Sequence, residues 1–408
     1  MRDRVRVVII GGGAVGCSIA YHLARAGEGD VMVLEKSGLC HGSTWHAAGL
    51  VGQLRGNQSL TRLMQWSVEL YGRLAAETGQ ATDWKPVGSL RIAASPARWN
   101  EIKRTAEAAR DFGLELHLLS AAEALDLFPL MRAAGVVGAA FIPSDGYIDP
   151  SSLTQALARG ARLGGVAIHE GVRATGITVR DRRATEVTTD HGTIACEMLV
   201  NAAGIWAREV GALAGVAVPA VAVEHQYIVT EKIPGLPSGL PSFRDPDGNF
   251  YVKPEVGALA VGGWEADTPT FGENGVRPDF ARELLASDFD RFAEIAVPAA
   301  RRLPVLDEVG VRTLINGPIP ISPDGEPVLG MAPGLENVFL ACGFTSGIAA
   351  CGGAGRAVAE WILAGEPGLD LASLDPRRFG SMSARELHAR AVESYGRYYA
   401  ISRGDEPQ

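Results

Sequence analysis

Cysteine is scarce in this chain, and its placement excludes several classes of protein. The few cysteines lie far apart, with no CxxC pair and no metal-ligand spacing: Cys17, Cys40, Cys196, Cys342 and Cys351. This distribution argues against a disulfide framework and against a zinc site. We therefore expect reduced, mostly buried thiols in a reducing compartment, and no bound metal.

Basic runs and long apolar runs are also missing. The 408 residues carry 38 Lys and Arg against 47 Asp and Glu, a formal net charge of −9. Without a basic block, nucleic acid is not an expected partner. The apolar run at the N-terminus is too short to span a membrane and has no cleavage site. We expect a cytoplasmic protein that does not insert into a membrane.

Glycine, in contrast, is abundant, with 50 residues, and one cluster of it follows an apolar run at 5–10. That run predicts a buried parallel strand, and it leads into Gly11-Gly12-Gly13-Ala14-Val15-Gly16 and a helix from about residue 14 to 26. A second predicted strand at 31–34 ends at Glu35. This order is typical of a dinucleotide site, in which the turn approaches a pyrophosphate and the acid binds a ribose. The alternative is a tight turn without a ligand.

A run of small residues surrounds one histidine shortly after this acid, in Gly42-Ser43-Thr44-Trp45-His46-Ala47-Ala48-Gly49. In a dinucleotide-binding frame, a flavin ring would lie here. The imidazole of His46 can then contact the edge of the isoalloxazine or bond to it. The alternative is a loop histidine that only caps local backbone.

A second glycine-rich turn lies at 343–348, between a predicted strand at 338–343 and a helix that runs to Ala364. We expect a loop and turn through residues 344–353. Around Thr345-Ser346-Gly347 the free amides and the positive end of the helix can stabilise negative charge at N1 and the C2 carbonyl of a reduced flavin. The alternative, helix packing through the neighbouring glycines, is compatible with this role.

The rest of the pattern predicts a mixed α/β protein. Predicted helices cover 57–78, 96–112, 121–127, 151–163 and 278–295. Predicted strands cover 90–92, 138–143, 166–169, 175–179, 184–188, 197–201, 221–230, 250–253 and 258–263. From about 216 to 311 the strands lengthen and are joined by Pro/Gly loops, as in an antiparallel sheet that carries a pocket.

Four segments occur in the order found in a known family: the N-terminal glycine turn, Ser43 to Leu50, Glu224-His225-Gln226-Tyr227 and Gly343 to Ile348. Over about residues 5–400 the chain resembles the flavin half of the dimethylglycine and sarcosine dehydrogenases, within the larger D-amino-acid-oxidase-like group. The resemblance implies oxidation of N-methylated amino acids. It also implies that His46 carries FAD through a covalent bond to the 8α-methyl.

We expect a Rossmann-like FAD-binding lobe, interleaved with an α+β substrate lobe built on an antiparallel sheet. The FAD lobe would comprise residues 1–85, 140–215 and 315–375, and the substrate lobe 86–139 and 216–314. The predicted FAD site comprises Gly11, Gly13, Ala14, Val15, Gly16, Glu35, Lys36, Ser43, Thr44, His46, Ala48, Gly49, Leu50, Val172, Ala203, Gly204, Trp206, Gly343, Thr345, Ser346, Gly347 and Ile348.

Amine oxidation requires a group that handles the proton on the substrate nitrogen, because an ammonium has no lone pair to expel a hydride. A histidine with a pKa near the working pH fits this task. His225 and Tyr227 share one face of a predicted strand, and Tyr251 on the next strand can reach the same pocket. The resemblance implies a histidine and a tyrosine at the substrate in the positions of His225 and Tyr251. We expect His225 to handle the proton and orient the amine, and Tyr251 to hydrogen-bond the amine or carboxylate.

Three further residues are candidates for substrate contact. Arg55, in the loop after the flavin histidine, can clamp a carboxylate, and Tyr227 and Trp264 can line the pocket. The alternatives are a solvated arginine and, for Trp264, a sheet-edge aromatic residue, which we favour. Ordinary strand residues are the alternative for His225 and Tyr251.

One departure from the family lies in residues 376–408. The related enzymes continue into a second half that binds tetrahydrofolate. Here Tyr395-Gly396-Arg397-Tyr398-Tyr399-Ala400 resembles the join to that half, and the sequence ends at Gln408. Formaldehyde would then be released free, or a separate folate-binding protein would accept the one-carbon unit.

The expected function is FAD-dependent oxidative demethylation of a small N-methylated amino acid such as sarcosine or dimethylglycine. Oxygen or an electron-transfer protein would reoxidise the flavin. One alternative is a flavin oxidase of a primary or cyclic amine. Another is a flavin subunit that is inactive without a folate-binding or electron-transfer partner.

Overall fold

A computed structural model describes residues 1–401 of the chain. The strands are β1 (Arg4–Ile10), β2 (Val31–Glu35), β3 (Leu50–Val51), β4 (Ser89–Ala93), β5 (His117–Leu119), β6 (Gly138–Ile142), β7 (Gly146–Tyr147), β8 (Ala167–Glu170), β9 (Ala174–Arg180), β10 (Arg183–Thr189), β11 (Gly192–Asn201), β12 (Val221–Thr230), β13 (Ser242–Asp245), β14 (Phe250–Glu255), β15 (Ala258–Gly263), β16 (Thr270–Phe271), β17 (Val311–Ile321), β18 (Val328–Met331) and β19 (Val338–Cys342). The α-helices are α1 (Ala14–Arg25), α2 (Gln58–Thr78), α3 (Pro96–Asp111), α4 (Ala121–Leu127), α5 (Pro150–Leu163), α6 (Ala207–Leu213), α7 (Phe289–Arg302), α8 (Gly347–Ala364) and α9 (Ala384–Gly396).

The first sheet is centred on parallel strands and holds the dinucleotide pattern. Its order is β18-β19-β11-β1-β2-β8, and β10 and β9 extend it from β11. β1 pairs in parallel with β2 on one side and with β11 on the other. Alternate residues of β1 enter two different apolar cores, with Val7 in one and Val8 in the other. This burial on both faces explains the almost continuous apolar run, and the Rossmann-like prediction is confirmed.

The second sheet is mostly antiparallel, in the order β16-β12-β15-β14-β13-β4-β6-β5, with β17 paired to β12. One face packs on α7 through Phe243, Val252 and Phe292. Because side chains alternate along a strand, the residues between these apolar ones face the other way. That opposite face carries Arg244 and Tyr251, which are direct partners in the β13–β14 register. The predicted antiparallel substrate sheet is therefore present.

The predicted helix at 278–295 is wrong in its position. The helix is α7, which begins after Asp288, whose side chain accepts a hydrogen bond at the helix N-terminus. Residues before it bond to the rest of the protein and not along a helix, as when the N–H of Arg282 donates to the carbonyl of His41 at 2.8 Å. Tertiary hydrogen bonds thus replace the helical ladder that the apolar spacing suggested.

Several elements were absent from the prediction, among them β13, β17, β18 and α9. β17 pairs with β12 along nearly its whole length, so the expected lobe limit between 314 and 315 cuts a continuous strand. The limit between 139 and 140 likewise cuts β6, which pairs with β4. We propose lobe limits after residues 142 and 321, because both strands then stay whole.

Two expectations from composition can be compared with the fold. All five cysteines are free and buried, as expected. Within residues 1–401, no helix has both the length and the apolar character needed to cross a membrane.

Candidate active site

The turn after β1 is packed so closely that only glycine fits at two of its positions. Gly11 has a φ of 120°, and a Cβ there would lie 2.3 Å from the carbonyl oxygen of Ala202, which follows β11. A Cβ on Gly16 would lie 2.0 Å from the carbonyl oxygen of Gly11. The N-terminus of α1 is thereby brought to the carboxyl ends of β1 and β11, which is where a dinucleotide binds in this type of sheet.

Polar contacts hold the walls around this turn. The carboxylate of Glu35 accepts hydrogen bonds from the backbone N–H of Gly12 at 2.8 Å and of Ser37 at 2.9 Å. The Thr44 hydroxyl accepts one from the N–H of Ala14 at 3.3 Å. The loop that contains His46 is therefore tied directly to the N-terminus of α1.

The turn opens into a groove of about 1110 Å³, a volume that includes the open space at its mouth. Most of the predicted FAD residues line it: Gly11, Gly13, Ala14, Val15, Glu35, Lys36, Ser43, Thr44, Val172, Ala203, Gly204, Trp206, Gly343, Thr345, Gly347 and Ile348. The glycine turn, the helix N-terminus and the acid at the end of β2 fit a dinucleotide such as FAD. These residues would hold it.

Six predicted residues do not line this groove: Gly16, His46, Ala48, Gly49, Leu50 and Ser346. Sequence reasoning in turn missed Ile10, Leu34, Gly42, Ala47, Arg173, Ala174, Ala202, Ile205, Val210, Ile319, Pro320, Ala341, Cys342 and Phe344. Most of these are direct neighbours of predicted positions, so a wider window would have found them. Ile319 and Pro320 come from β17, whose existence was not predicted.

Lys36 lines the groove and also contacts a distant segment of the chain. Its ammonium donates to the carbonyl oxygens of Pro278 at 2.8 Å and Phe280 at 2.7 Å, and it lies 4.0 Å from the ring centre of Trp206. The irregular segment before α7 is thus fastened to the first sheet at the groove.

His46 is buried at the end of a short 3₁₀ turn, Thr44–His46. Burial lowers the pKa of its imidazole to about 4. The ring lies on Gly317 of β17, where a Cβ would be 2.5 Å from the Cε1 atom of His46. Gly317 is the register partner of His225. The structure therefore brings the two predicted histidines to the same point of the second sheet.

The imidazole of His225 lies between two phenols. Its Nδ1 is 2.7 Å from the hydroxyl of Tyr395, and its Nε2 is 2.8 Å from the hydroxyl of Tyr251. Burial, and to a smaller extent His46, lowers the pKa of His225 to about 3. Burial raises the pKa of both tyrosines. We call His225, Tyr251 and Tyr395 the trio. At neutral pH all three side chains are uncharged, and the imidazole has a hydrogen bond on each side.

Other aromatic side chains surround this trio. The ring of Trp264 lies 5.1 Å from that of His225 and stacks at 3.7 Å on that of Tyr398. The hydroxyl of Tyr398 is 2.9 Å from Ser346 Oγ. Trp264 is 6% exposed, so the favoured interpretation as a sheet-edge residue does not describe its surroundings.

Sequence reasoning missed the part played by α9 and the residues after it. The run 395–400 resembles a join to another domain, but Tyr395 is fully buried and contacts His225. The signal was its three tyrosines within five residues, in a chain that has 8 tyrosines in all.

Of the two remaining substrate candidates, Tyr227 lies beside Tyr251 and Arg55 does not. Gly262 pairs with both tyrosines, and a Cβ on it would lie 2.3 Å from the Tyr251 hydroxyl and 2.8 Å from Tyr227 Cβ. Tyr227 is half-buried and packs with Val229, Ala258 and Ala260. Arg55 donates to the carbonyl oxygen of Leu54 at 2.8 Å. Across residues 1–401, neither candidate hydrogen-bonds His225 or Tyr251.

Comparison with known proteins agrees with this geometry. Residues 6–361 match the family model described as FAD dependent oxidoreductase. The chain is 41% identical over 404 residues to dimethylglycine dehydrogenase from Rattus norvegicus, covering 97% of this chain and 47% of that protein. It is 40% identical over 405 residues to sarcosine dehydrogenase from Mus musculus, covering 97% of this chain and 44% of that protein. Both of these relatives are named as mitochondrial.

A solved structure shares the fold. The crystal structure of L-proline dehydrogenase from P. horikoshii superposes with a TM-score of 0.84 at 27% identity, covering 93% of this chain and 98% of that one. The chain spans about half the length of the curated relatives it matches. With a family match over most of its length and relatives at about 40% identity, this chain belongs to the FAD-dependent oxidoreductases of the D-amino-acid-oxidase type.

Proposed function

We propose that this protein oxidatively demethylates a small N-methylated amino acid such as sarcosine or dimethylglycine. The observation that carries the proposal is the path from His46, whose neighbour Ala47 lines the FAD groove, across Gly317 to the uncharged hydrogen-bonding site of His225 and Tyr251. The names of relatives at 40 and 41% identity support the substrate class. A bound flavin would supply the acceptor for a hydride from the carbon beside the amine nitrogen, and hydrolysis of the oxidised amine would give the demethylated amine and formaldehyde.

The pKa of His225 refines its expected role. Sequence reasoning placed this pKa near neutral, whereas burial lowers it to about 3. A neutral imidazole offers one N–H and one lone pair, and each of its nitrogens faces a tyrosine hydroxyl. We therefore assign to His225 the role of positioning the Tyr251 side chain, and we assign the contact with the substrate amine to the Tyr251 oxygen. A buried, uncharged site also disfavours an ammonium, so the amine binds with its lone pair free.

The covalent bond between FAD and His46 is a second part of the proposal. The neutral imidazole required for attachment is supported by burial, which lowers the pKa of His46 to about 4. Ala47, the next residue, lines the groove. We expect acid-precipitated protein to stay yellow and the His46→Ala variant to release its colour into the supernatant. Colour found wholly in the supernatant of the parent protein would exclude the bond.

The activity is tested on the purified protein with sarcosine, dimethylglycine and the primary amine glycine. We expect both methylated substrates to bleach the flavin and release formaldehyde, and glycine to do neither. Bleaching by glycine alone would instead establish an oxidase of primary amines.

The same measurements test a second candidate, a flavin subunit that depends on a partner. In that case turnover, but not single bleaching, would require an added folate-binding or electron-transfer protein. We also propose a cytoplasmic location, which the five free cysteines support since they suit a reducing compartment.

A further inference from the structure

Arg244, on β13, is a half-buried cation that interacts with Asp145 only through charge. Among residues 1–401 its guanidinium makes no hydrogen bond and no ion pair. Other arginines around the second sheet are paired: Arg91 with Glu101 at 3.0 Å, Arg291 with Glu224 at 2.7 Å and Arg302 with Asp245 at 3.0 Å. Sheltering a guanidinium from water costs free energy unless an anion or acceptor compensates it. The free donors of Arg244 therefore indicate a site for an anion.

The strand register places Arg244 at the candidate active site. Arg244 is the direct partner of Tyr251 across β13 and β14. Their neighbours Phe243 and Phe250 enter the apolar core on the opposite face, so Arg244 and Tyr251 project from the same face. Tyr251 in turn contacts His225 at 2.8 Å. The cation thus stands beside the pair that we assign to the substrate amine.

The other side of Arg244 meets the loop that follows His46 and β3. A Cβ on Gly52 would lie 3.2 Å from Nη2 of Arg244. Glycine at this position leaves room for the guanidinium between the flavin-side loop and the second sheet. A side chain here would push against Nη2.

The neighbouring acid, Asp145, accepts no hydrogen bond from Arg244. Asp145 is within reach of the same point, since its Oδ2 would lie 3.5 Å from a Cβ on Gly52. However, its carboxylate already accepts hydrogen bonds from Ser89 Oγ at 2.6 Å, Gln53 N at 3.0 Å and Gln53 Nε2 at 2.8 Å. Asp145 therefore supplies local negative charge without occupying the guanidinium.

We propose that Arg244 binds the carboxylate of the amino-acid substrate, while Tyr251 and His225 orient its amine. A guanidinium presents two parallel N–H donors that match the two oxygens of a carboxylate. This inference rests on the proposed function, because it names the group that recognises the acid end of the same substrate. It assigns to Arg244 the carboxylate-binding role that the sequence suggests for Arg55.

The test separates the acid end of the ligand from its amine. Acetate has the carboxylate and no oxidisable amine, and its binding to the holoenzyme is followed by the change in flavin absorbance. We expect Arg244→Met to weaken acetate binding roughly 10- to 150-fold, as for the loss of hydrogen bonds to a charged group. Arg244→Lys should recover part of the affinity, because lysine restores the positive charge but not the two parallel N–H donors of the guanidinium. Arg104→Met, at an exposed arginine of α3, is the matched control and should bind acetate as the parent does.

Turnover gives an independent measurement. With sarcosine, Arg244→Met should raise KM by a similar factor and change kcat little. With sarcosinamide, which lacks the negative charge, parent and variant should have similar KM values. Gly52→Ala should also raise KM for sarcosine, because it displaces Nη2 while Arg244 remains. If Arg244→Met folds poorly, the KM of Gly52→Ala for sarcosine still tests the role of Arg244.

The outcomes distinguish the two proposals. Unchanged acetate affinity in a folded Arg244→Met protein that still oxidises sarcosine would overturn the carboxylate site and leave the proposed function intact. Acetate binding that depends on Arg244, in a parent protein that oxidises no methylated amino acid, would support the site and overturn the proposed function.

Discussion

The FAD groove and the His225 site are built in different ways. The groove is made largely of backbone and small residues near the ends of parallel strands, and its glycine turn occupies one short stretch, 11–16. The His225 site is made of large side chains from distant parts of the chain, and His225 and Tyr395 are separated by 170 positions. A short motif therefore reveals the groove, whereas the second site depends on strand register and on α9.

This difference predicts how each region responds to substitution. A groove made of tightly packed backbone has no tolerance for added atoms, so damage there should remove the cofactor. A site made of side chains on a rigid sheet should lose activity and keep its cofactor. The following experiments test that separation.

The largest effect is expected from Gly16→Val. Its Cβ would lie 2.0 Å from the carbonyl oxygen of Gly11, so the turn has to open and the FAD site with it. We expect protein that is purified without yellow colour, measured as the ratio of visible to ultraviolet absorbance. Gly72→Ala is the control, since Gly72 is exposed on α2 with no atom within 4 Å of its added Cβ. It should keep full colour and gain about 0.5–1 kcal/mol of stability.

His225→Ala should give the opposite result. The imidazole orients Tyr251 at 2.8 Å but does not line the FAD groove. We expect the rate of flavin reduction by sarcosine to fall roughly 10²- to 10⁴-fold, with the flavin content near that of the parent. Stopped-flow absorbance measures the rate. Equal rates in variant and parent would remove His225 from the mechanism, and loss of colour would contradict the separation of the two regions.

A smaller effect is expected from Tyr395→Phe, which removes only the hydroxyl that contacts Nδ1 of His225 at 2.7 Å. An unsatisfied buried polar group costs about 1–3 kcal/mol, so reduction should slow by roughly tenfold, and its pH profile should shift. The phenylalanine ring keeps the packing, and thermal unfolding serves as the check on folding. If rate and pH profile both match the parent, Tyr395 has only a structural role.

The smallest effect concerns stability in acid. Burial lowers the pKa of His22, in α1, to about 3, below its value of about 6.5 in an unfolded chain. Between these values the unfolded state binds a proton that the folded state does not, so stability falls as the pH falls. Replacing His22 by Gln should reduce the pH slope of the unfolding free energy by about 1.4 kcal/mol per pH unit. Denaturant titrations between about pH 4 and pH 6 measure it, and identical slopes would refute it.

Sequence reasoning recovered the parts of the molecule that local spacing encodes. The glycine turn, Glu35 and the limits of β12 and β15 agree with the structure. Asn57 was expected at the start of a helix, and its side chain does cap α2 by accepting from the N–H of Leu60. Each of these features follows from a few adjacent residues.

The parts that failed depend on distant partners. The segment before α7 has helical apolar spacing but bonds to His41 and Asn316 instead. The cluster of tyrosines at 395–399 marks the segment, but only the packing of α9 against β12 brings Tyr395 to His225. The free guanidinium of Arg244 likewise becomes visible only when the strands are paired.

The position of Tyr395 near the end of the chain has a consequence for gene expression. A reading frame interrupted after residue 383 still encodes the glycine turn, the His46 loop, β19 and α8. It lacks the phenol on Nδ1 of His225 and the ring that stacks on Trp264. Such a prematurely terminated product would retain every groove residue and yet lack two of the aromatic side chains that surround His225 and Trp264.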